Sequence, residues 1–297
     1  MSRKFIFAHL AILFANIIYG LNYVIAKDIM PDYLEPRAII FLRVAGASAV
    51  FWLASVFSFG EKVARKDLIR LGLISFLGVG LNQIMFFEGL NLTTPINASV
   101  IMVGIPILVL VFSHFFIGDR LTSNKLIGIF IGFTGAAYLI FQSGPISFQS
   151  DTFLGNIFIF INATAYSLYL VLVKPLMAKY HPLTIMKWVF LFGLFYITPF
   201  TLNLALKSDY TVIPLNIWLS IGFVIIFTTI FAYFLNNYSL KTISPTINSA
   251  YIFLQPVVAS VVALIFAKDH ISIDTVISAV FIFIGVYFVS FKKTNIN

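Results

Sequence analysis

The chain has 297 residues, of which 60% are hydrophobic and only 10% charged, with a formal net charge of +8. Soluble domains carry about 25% charged residues, so this composition and a mean hydropathy of +1.01 exclude an ordinary soluble domain and indicate an integral membrane protein. The chain has no cysteine, which excludes disulfides, thiolate metal sites and a cysteine nucleophile.

Apolar runs long enough to cross a bilayer fill most of the chain. A helix needs about 20 residues to span the hydrocarbon core. Such runs lie at residues 5–26, 38–58, 68–90, 96–117, 124–141, 152–173, 183–205, 214–236, 246–266 and 272–291. The sequence therefore predicts an all-α integral membrane protein with ten transmembrane helices, and the remaining residues are too few for a soluble domain.

Basic residues in the connecting segments indicate the orientation in the bilayer. When the ten runs are threaded in turn, most of the 19 lysine and arginine residues fall on the side of the N-terminus, and the positive-inside rule makes that side cytoplasmic. We therefore expect a multi-pass protein of the plasma membrane, a bacterial inner membrane, with both termini in the cytoplasm. The basic residues thus determine the orientation in the membrane, and this role accounts for the positive net charge. We therefore expect the lipid bilayer as a partner and no binding of nucleic acid.

The second half of the chain repeats a pattern of the first half. Thr94-Pro95 recurs 150 residues later as Ser244-Pro245, and near the start of each half Asn16 recurs as Asn162, at an offset of 146. Further matches are Tyr23 with Tyr169, Gly72 with Gly222, Leu90 with Leu240, Ser99 with Ser249, Pro106 with Pro256, Asp119 with Asp269, and Gly135 with Gly285. Matching prolines and glycines in one register indicate an internal repeat.

The repeat divides the chain into two predicted domains, residues 1–145 and 146–297, with five spans each. An odd number of spans turns the second repeat upside down relative to the first. Inverted repeats around a central cavity are typical of secondary transporters, which hold their substrate near the bilayer midplane between the two halves.

Two prolines lie near the middle of spans four and nine, Pro106 and Pro256. Each removes a backbone hydrogen bond and clashes with the preceding turn, so each is predicted to kink its helix. The kinks would face the central space from equivalent positions and could act as hinges. The alternative is an irregularity of packing without a role in the cycle, since membrane helices tolerate proline.

Several segments resemble a known family. "YGLNYVIAK", "FLRVAGA" and "GLNLTTPINASVIMVGIPILVLVFSHFFIGDRLTSNKLIGIFIGFTGAAYLI" in the first half are similar to the EamA-type family of the drug/metabolite transporter superfamily. "SLKTISPTINSAYIFLQPVVASVVALIFAKDHISIDTVISAVFIFIGVYFV" resembles the same unit. Asp119 replaces the usual glutamate of the family's Gly-Glu-Arg tail, and the second half has only Lys268-Asp269 there. The resemblance implies ten helices in two inverted five-helix repeats, and export or exchange of small solutes, often amino acids.

Polar residues inside a bilayer are costly and usually face a cavity or a partner. Amides and phenols recur at helical spacing in spans from both halves, with Asn162, Asn237 and Asn248 on the same stripes. The candidate cavity-lining residues are Asn16, Tyr19, Asn22, Tyr23, Asn82, Gln83, Tyr166, Tyr169, Tyr233, Asn236, Tyr251 and Gln255. Such a lining suits a zwitterionic or neutral solute with an aromatic or apolar part. The alternative for each residue is an interhelical hydrogen bond or a place in the interfacial aromatic belt.

Arg43 and Glu88 are the main charges within the predicted spans and lie at similar depth. One hypothesis is that they form a pair, and another is that Glu88 binds a coupling proton, because a carboxyl in apolar surroundings can cycle between two states. The alternatives are snorkelling to the outer interface for either charge, and a structural or gating role for Arg43.

Gly128, Gly132 and Gly135 form a small-residue face on span five. This face predicts close helix packing, either within the bundle or between protomers of a homodimer.

Other functional classes fit the sequence less well. The histidines are scattered, and neither HExxH, GxSxG nor paired intramembrane carboxylates occur, so we expect no enzyme, no metal site and no cofactor. Nothing resembles the selectivity filter of a channel. The sequence favours a secondary transporter that exports or exchanges small metabolites, such as amino acids, by alternating access; a uniporter or facilitator and a membrane scaffold without a solute remain as alternatives.

Overall fold

The structure is a computed structural model that describes residues 3–57, 61–93, 98, 101–142, 150–265 and 273–290. The described residues form helices and no strand. Several predicted features lie outside the described residues: the Thr94-Pro95 and Ser99 half of the repeat, Lys268-Asp269, and the boundary at residue 145.

The helices follow the apolar runs of the sequence, with charged residues near several of their ends. We label them α1 (Arg3–Ile29), α2 (Pro36–Phe57), α3 (Arg65–Leu92), α4 (Ile105–Ile117), α5 (Ser123–Gln142), α6 (Ser150–Lys179), α7 (Pro182–Lys207), α8 (Leu215–Thr242), α9 (Pro245–Ala250, a 3₁₀ turn Tyr251–Phe253, then Leu254–Ile265) and α10 (Ile273–Ser290). Among the described residues, α1, α2, α3, α6, α7 and α8 contain stretches long and apolar enough to cross a membrane, and α4 and α10 are shorter apolar helices. The number of ten spans stays a prediction.

Two of the long helices contain a π-helical segment. In α3 the segment is Phe76–Leu81, and in α8 it is Val224–Phe231. Offset by 150 residues, the two segments overlap, so the corresponding helices of the two halves depart from α geometry at the same place. Such bulges are frequent at functional sites.

Helices of the first half pack mainly against helices of the second half. The main neighbours are α2 with α7, α5 with α10, α3 with α6, α1 with α8, α3 with α7, α2 with α8, α4 with α6, and α1 with α9. These pairs stay the same when every helix is exchanged for the one five places along the chain. Each pair joins a helix of the first half to a helix of the second, so two similar halves packed symmetrically against each other would produce this pattern.

The buried apolar side chains form two clusters. The larger one joins α1, α2 and α3 to α6, α7 and α8, and Phe51, Phe190 and Tyr169 are among its largest members. The smaller cluster lies where α1, α4, α5, α9 and α10 meet. Large apolar side chains also cover the outside of the bundle, as a lipid-facing surface requires.

The glycine face of α5 packs against α10, and the two backbones touch. A Cβ atom added at Gly128 would lie 2.7 Å from the Gly285 carbonyl oxygen, and one added at Gly285 would lie 2.5 Å from the backbone nitrogen of Gly132. Gly135 faces α10 in the same way, since a Cβ atom added there would lie 2.9 Å from the Ser278 carbonyl oxygen. Of the two uses left open by the sequence, the structure shows packing within the bundle.

The prolines expected to kink continuous helices stand instead at the beginning of helical segments. Pro106 lies in the first turn of α4, after a turn at Val103 and Gly104. Pro256 lies in the first turn of Leu254–Ile265, directly after the 3₁₀ turn of α9. At such positions the missing N–H costs nothing, because the first turn has no intrahelical acceptor for it. A hinge role at either place stays a prediction.

The loop after α4 ties three helices together. Gly118 ends α4 with φ at 67°, in the left-handed region where a residue without Cβ is favoured. The next residue, Asp119, accepts hydrogen bonds from Lys125 Nζ at 2.6 Å and from Thr246 Oγ1 at 3.0 Å. The acidic residue of the family's tail thus joins the ends of α4, α5 and α9.

The contact between α5 and α10 predicts a difference between two glycine substitutions. Gly285→Ala forces the backbones apart and should lower the stability by about 1–3 kcal/mol. Gly222→Ala, in α8, meets no atom within 4 Å and should leave stability unchanged or raise it by up to ~1 kcal/mol. Thermal unfolding of both variants in the same detergent measures this, and equal midpoints would contradict the packing.

Candidate functional site

A cavity of about 70 Å³ lies in the middle of the bundle, between helices of the two halves. Its walls come from α1, α2, α3 and Met102, which precedes α4, in the first half, and from α6, α8 and α9 in the second. The lining residues are Tyr19, Asn22, Tyr23, Arg43, Asn82, Gln83, Phe86, Met102, Asn162, Tyr166, Thr228, Tyr233, Ile252 and Gln255. The lining of the cavity therefore combines polar and apolar side chains and includes the cation Arg43.

Most of the predicted cavity residues line it. These are Tyr19, Asn22, Tyr23, Asn82, Gln83, Tyr166, Tyr233 and Gln255. They lie on α1, α3, α6, α8 and α9, so the polar stripes read from the sequence meet at one place. The role of these side chains in transport stays a prediction.

Four predicted residues do not line the cavity and stand behind its wall. Asn16 accepts a hydrogen bond from Gln255 Nε2 at 2.8 Å, and the Tyr169 hydroxyl donates to Asn237 Oδ1 at 2.8 Å. The remaining two are Asn236, which donates to the Tyr166 hydroxyl at 2.9 Å, and Tyr251, whose hydroxyl lies 2.6 Å from His9 Nδ1. At these four positions the structure shows interhelical hydrogen bonds, and a place along the transport path stays a prediction for each of them.

A hydrogen-bonded cluster joins the halves at the cavity wall. Gln83 Nε2 donates to the Tyr233 hydroxyl, and these two positions are 150 residues apart, so equivalent places of the two repeats touch each other. The Tyr233 hydroxyl donates to Asn82 Oδ1 at 3.1 Å, and Asn162 Nδ2 donates to the Asn82 carbonyl oxygen at 2.8 Å. All four side chains are buried, which fixes the wall between α3, α6 and α8.

A second cluster holds α1 against α9. Gln255 bridges the two, because its Oε1 accepts from the Tyr23 hydroxyl at 3.2 Å while its Nε2 donates to Asn16. Two members of the polar stripe of α1 are thus bonded to a residue of the other half. In a bilayer, such interhelical hydrogen bonds replace those that water would make.

Sequence reasoning missed several cavity residues. Phe86, Met102 and Ile252 line the cavity, but an apolar residue gives no signal that separates a cavity wall from a lipid-facing surface. Thr228 lies within the π-helical segment of α8. That segment changes the register of the helix, so the stripe that contains Tyr233 does not extend to Thr228 at the usual spacing.

The proposed pairing of Arg43 with Glu88 is wrong. Arg43 Nε donates to Thr229 Oγ1 at 2.8 Å, and its guanidinium carbon lies 4.6 Å above the Phe87 ring. Glu88, one residue along the helix and turned by about 100°, accepts instead from Arg37 Nε at 2.5 Å. The Arg37 side chain is 46% exposed, so Glu88 lacks the apolar surroundings on which the coupling hypothesis depended.

A second cavity, of about 700 Å³, lies beyond one end of α9 and includes the loop before α5. Asp119, Lys125 and Lys174 are among its lining residues. Between the two cavities α9 carries Asn248, which is 1% exposed and donates to Ser239 Oγ at 2.5 Å and to the Asn236 carbonyl oxygen at 3.3 Å. Asn248 therefore ties α9 to α8 between α9 residues that line the larger cavity and α9 residues that line the central one.

A bundle of apolar helices with a polar cavity between its halves identifies the chain as a multi-pass membrane protein. A model of the EamA-like transporter family matches the chain over residues 6–141 and again over residues 153–291. The chain therefore belongs to the EamA-like transporter family.

Individual relatives agree with the family. The chain is 26% identical to YyaM, an uncharacterized transporter of Bacillus subtilis, over 91% of its own length and 89% of that protein. An uncharacterized transporter of Archaeoglobus fulgidus is 28% identical, over 88% and 91%, and a WAT1-related protein of Arabidopsis thaliana is 22% identical, over 99% and 85%. These names support a role as a transporter and not as an enzyme.

A solved crystal structure shares the fold. It superposes with a TM-score of 0.75 at 17% sequence identity and covers 95% of each chain. The similarity extends over nearly the whole chain, so both halves of the bundle have counterparts in that structure.

The cluster at the cavity wall predicts the effect of one hydroxyl. Tyr233→Phe removes the acceptor of Gln83 and a donor to Asn82, and should lower stability by ~1 kcal/mol. Tyr33→Phe is the matched control, because Tyr33 is 37% exposed between α1 and α2. Thermal unfolding in detergent measures both, and a larger loss for the control would contradict the cluster.

Proposed function

We propose that the protein is a secondary transporter of small metabolites that works by alternating access between two inverted five-helix repeats. The observation that carries the proposal is the buried polar cavity between the halves, with Gln83 and Tyr233 bonded to each other from equivalent places of the repeat. Buried polar groups around a cavity are costly in a membrane protein and indicate a path for a polar solute.

Two observations support the inverted repeats. The family model matches each half separately, and the main helix neighbours are preserved when the halves are exchanged. With five spans in each half, the second half would be inverted, both termini would lie in the cytoplasm, and the chain would cross a plasma membrane, a bacterial inner membrane, ten times.

The cavity contents favour a small amphipathic solute such as an amino acid. Amides and phenols supply donors and acceptors, while Phe86, Met102 and Ile252 supply an apolar wall. Drug-sized ligands occupy cavities of ~300–1,000 Å³, so a cavity of about 70 Å³ belongs to a closed state. Separation of α9 from α8 at the contacts of Asn248 would open the central cavity toward the second one.

Export or exchange is the proposed direction, and a uniporter or facilitator is the main alternative. A homodimer would need another surface than the glycine face, because that face is occupied by α10.

Counterflow in proteoliposomes tests the transport mechanism. Vesicles loaded with an unlabelled amino acid should accumulate the labelled form transiently, because a carrier exchanges solutes one for one through an alternating site. A channel or a scaffold should show no overshoot, and uphill accumulation driven by an imposed ion gradient would separate a coupled transporter from a facilitator. A panel of single amino acids without any overshoot would contradict the proposal.

The ion pair of Glu88 with Arg37 predicts that Glu88 does not set the pH dependence of transport. Glu88→Gln should leave the pH profile of exchange unchanged, and Arg37→Gln serves as its partner control. Initial rates measured across a pH series in proteoliposomes check this. A profile shifted by Glu88→Gln alone would restore Glu88 as a coupling residue.

A further inference from the structure

We propose that Arg43 binds the carboxylate of the transported solute, so that the substrate is a small carboxylic acid or an amino acid held by its acid group. This inference rests on the proposed transport function and specifies the chemistry of its substrate.

Arg43 is a buried cation without a counter-ion. It is 3% exposed and lines the central cavity. The ion pairs found in the described parts of the chain are Arg37 with Glu88, Lys125 with Asp119, and Lys179 with Asp67, so none involves Arg43. Its observed partners are neutral: the Thr229 hydroxyl and the Phe87 ring. An uncompensated charge is destabilising in a buried site, and an anion that enters the cavity would offset that cost.

The free part of the guanidinium has the geometry that a carboxylate requires. Nε is used by Thr229, whereas the two Nη atoms have no hydrogen bond to any residue in the described ranges. Arginine presents its donors in a rigid planar fork that binds a carboxylate with two parallel hydrogen bonds. The fixed Nε contact orients that fork and leaves the remaining donors for a ligand.

The same cavity offers unpaired groups for the other end of the solute. Asn22 Oδ1, Asn162 Oδ1 and Thr228 Oγ1 are buried without a partner among the described residues, and all three residues line the cavity. The orientation of Asn162 is fixed because its Nδ2 donates to Asn82, which leaves Oδ1 as an acceptor. These oxygens suit an ammonium or hydroxyl group, so the cavity has one anion-binding place and acceptors elsewhere.

The equivalent contact on the other side of the bundle is made without a cation. At the offset of 150 residues that relates α3 to α8, Thr229 corresponds to Val79. Gly193 of α7 packs directly on Val79 of α3, as Arg43 of α2 bonds to Thr229 of α8. A contact of this kind between the halves therefore does not by itself require a cation, and Arg43 adds a charge to the cavity.

Matched acids and amides test the proposal. The probes are L-leucine, L-phenylalanine and 4-methylpentanoate, each beside its primary amide, with inorganic phosphate as a second anion. For the wild-type protein, we expect the acids to raise the thermal midpoint and to exchange in proteoliposomes, with apparent affinities at least tenfold above those of the amides. Phosphate should have a smaller effect than the acids.

Substitutions of Arg43 separate binding from folding. Arg43→Gln should keep or raise the midpoint of the protein without solute, because it removes the uncompensated charge, and should lose the preference for acids over amides. Arg43→Lys should retain the preference with an affinity about tenfold lower, because an ammonium lacks the planar fork. Arg37→Gln removes a cation that lies outside the cavity, so this variant should behave as the wild type.

The outcomes distinguish the two proposals. If amides exchange as well as acids, or if Arg43→Gln still prefers acids, the role of Arg43 is wrong while transport stands. A lower midpoint for Arg43→Gln without solute would show a structural cation and overturn the inference, and stronger protection by phosphate would overturn the carboxylate assignment. If neither acids nor amides exchange, the transport proposal fails, and the inference fails with it.

Discussion

Polar groups inside a bilayer must bond to one another, because the hydrocarbon offers no donors or acceptors. This constraint places the buried amides and phenols of the chain where its two halves meet. The contact of Gln83 with Tyr233 is the centre of that arrangement, and Asn82 and Asn162 extend it to neighbouring helices. The outer surface, by contrast, is covered by large apolar side chains. The cavity exists because these polar walls meet without filling the space between them.

The positions of the helices and of many polar cavity residues could be predicted from the sequence, since both depend on periodic patterns. Apolar runs mark the helices, and stripes such as Asn16, Tyr19 and Tyr23 mark the inner face of α1. A stripe shows which face of a helix is inward, but not which residue on it reaches the cavity. Asn16 and Tyr19 share a stripe, yet Gln255 covers the first and only the second lines the space.

The remaining features depend on contacts between distant segments and had no local signal. Neighbouring residues of a helix point about 100° apart, so Phe87 faces the buried Arg43 while Glu88 faces the exposed Arg37. The hypothesis that paired Arg43 with Glu88 considered only their depth along the helices and was therefore wrong. The π-helical segment around Thr228 likewise changes the register in a way that periodicity cannot show. The glycine face of α5 was readable, but only the structure identified α10 as its partner.

Two lysines show how corresponding parts of the halves are joined through the main chain. Lys27 of α1 donates to the carbonyl oxygens of Leu90 at 2.9 Å and of Asn91 at 3.1 Å, at the end of α3. Lys174 of α6 donates to the carbonyl oxygen of Leu240 and, at 2.8 Å, to that of Ile243, at the end of α8. The last carbonyls of a helix lack intrahelical donors, and a cation is favourable at this negative end. Because the acceptors belong to the backbone, replacements at these four acceptor positions can accumulate over evolutionary time without loss of either tie, whereas the two lysines have no such freedom.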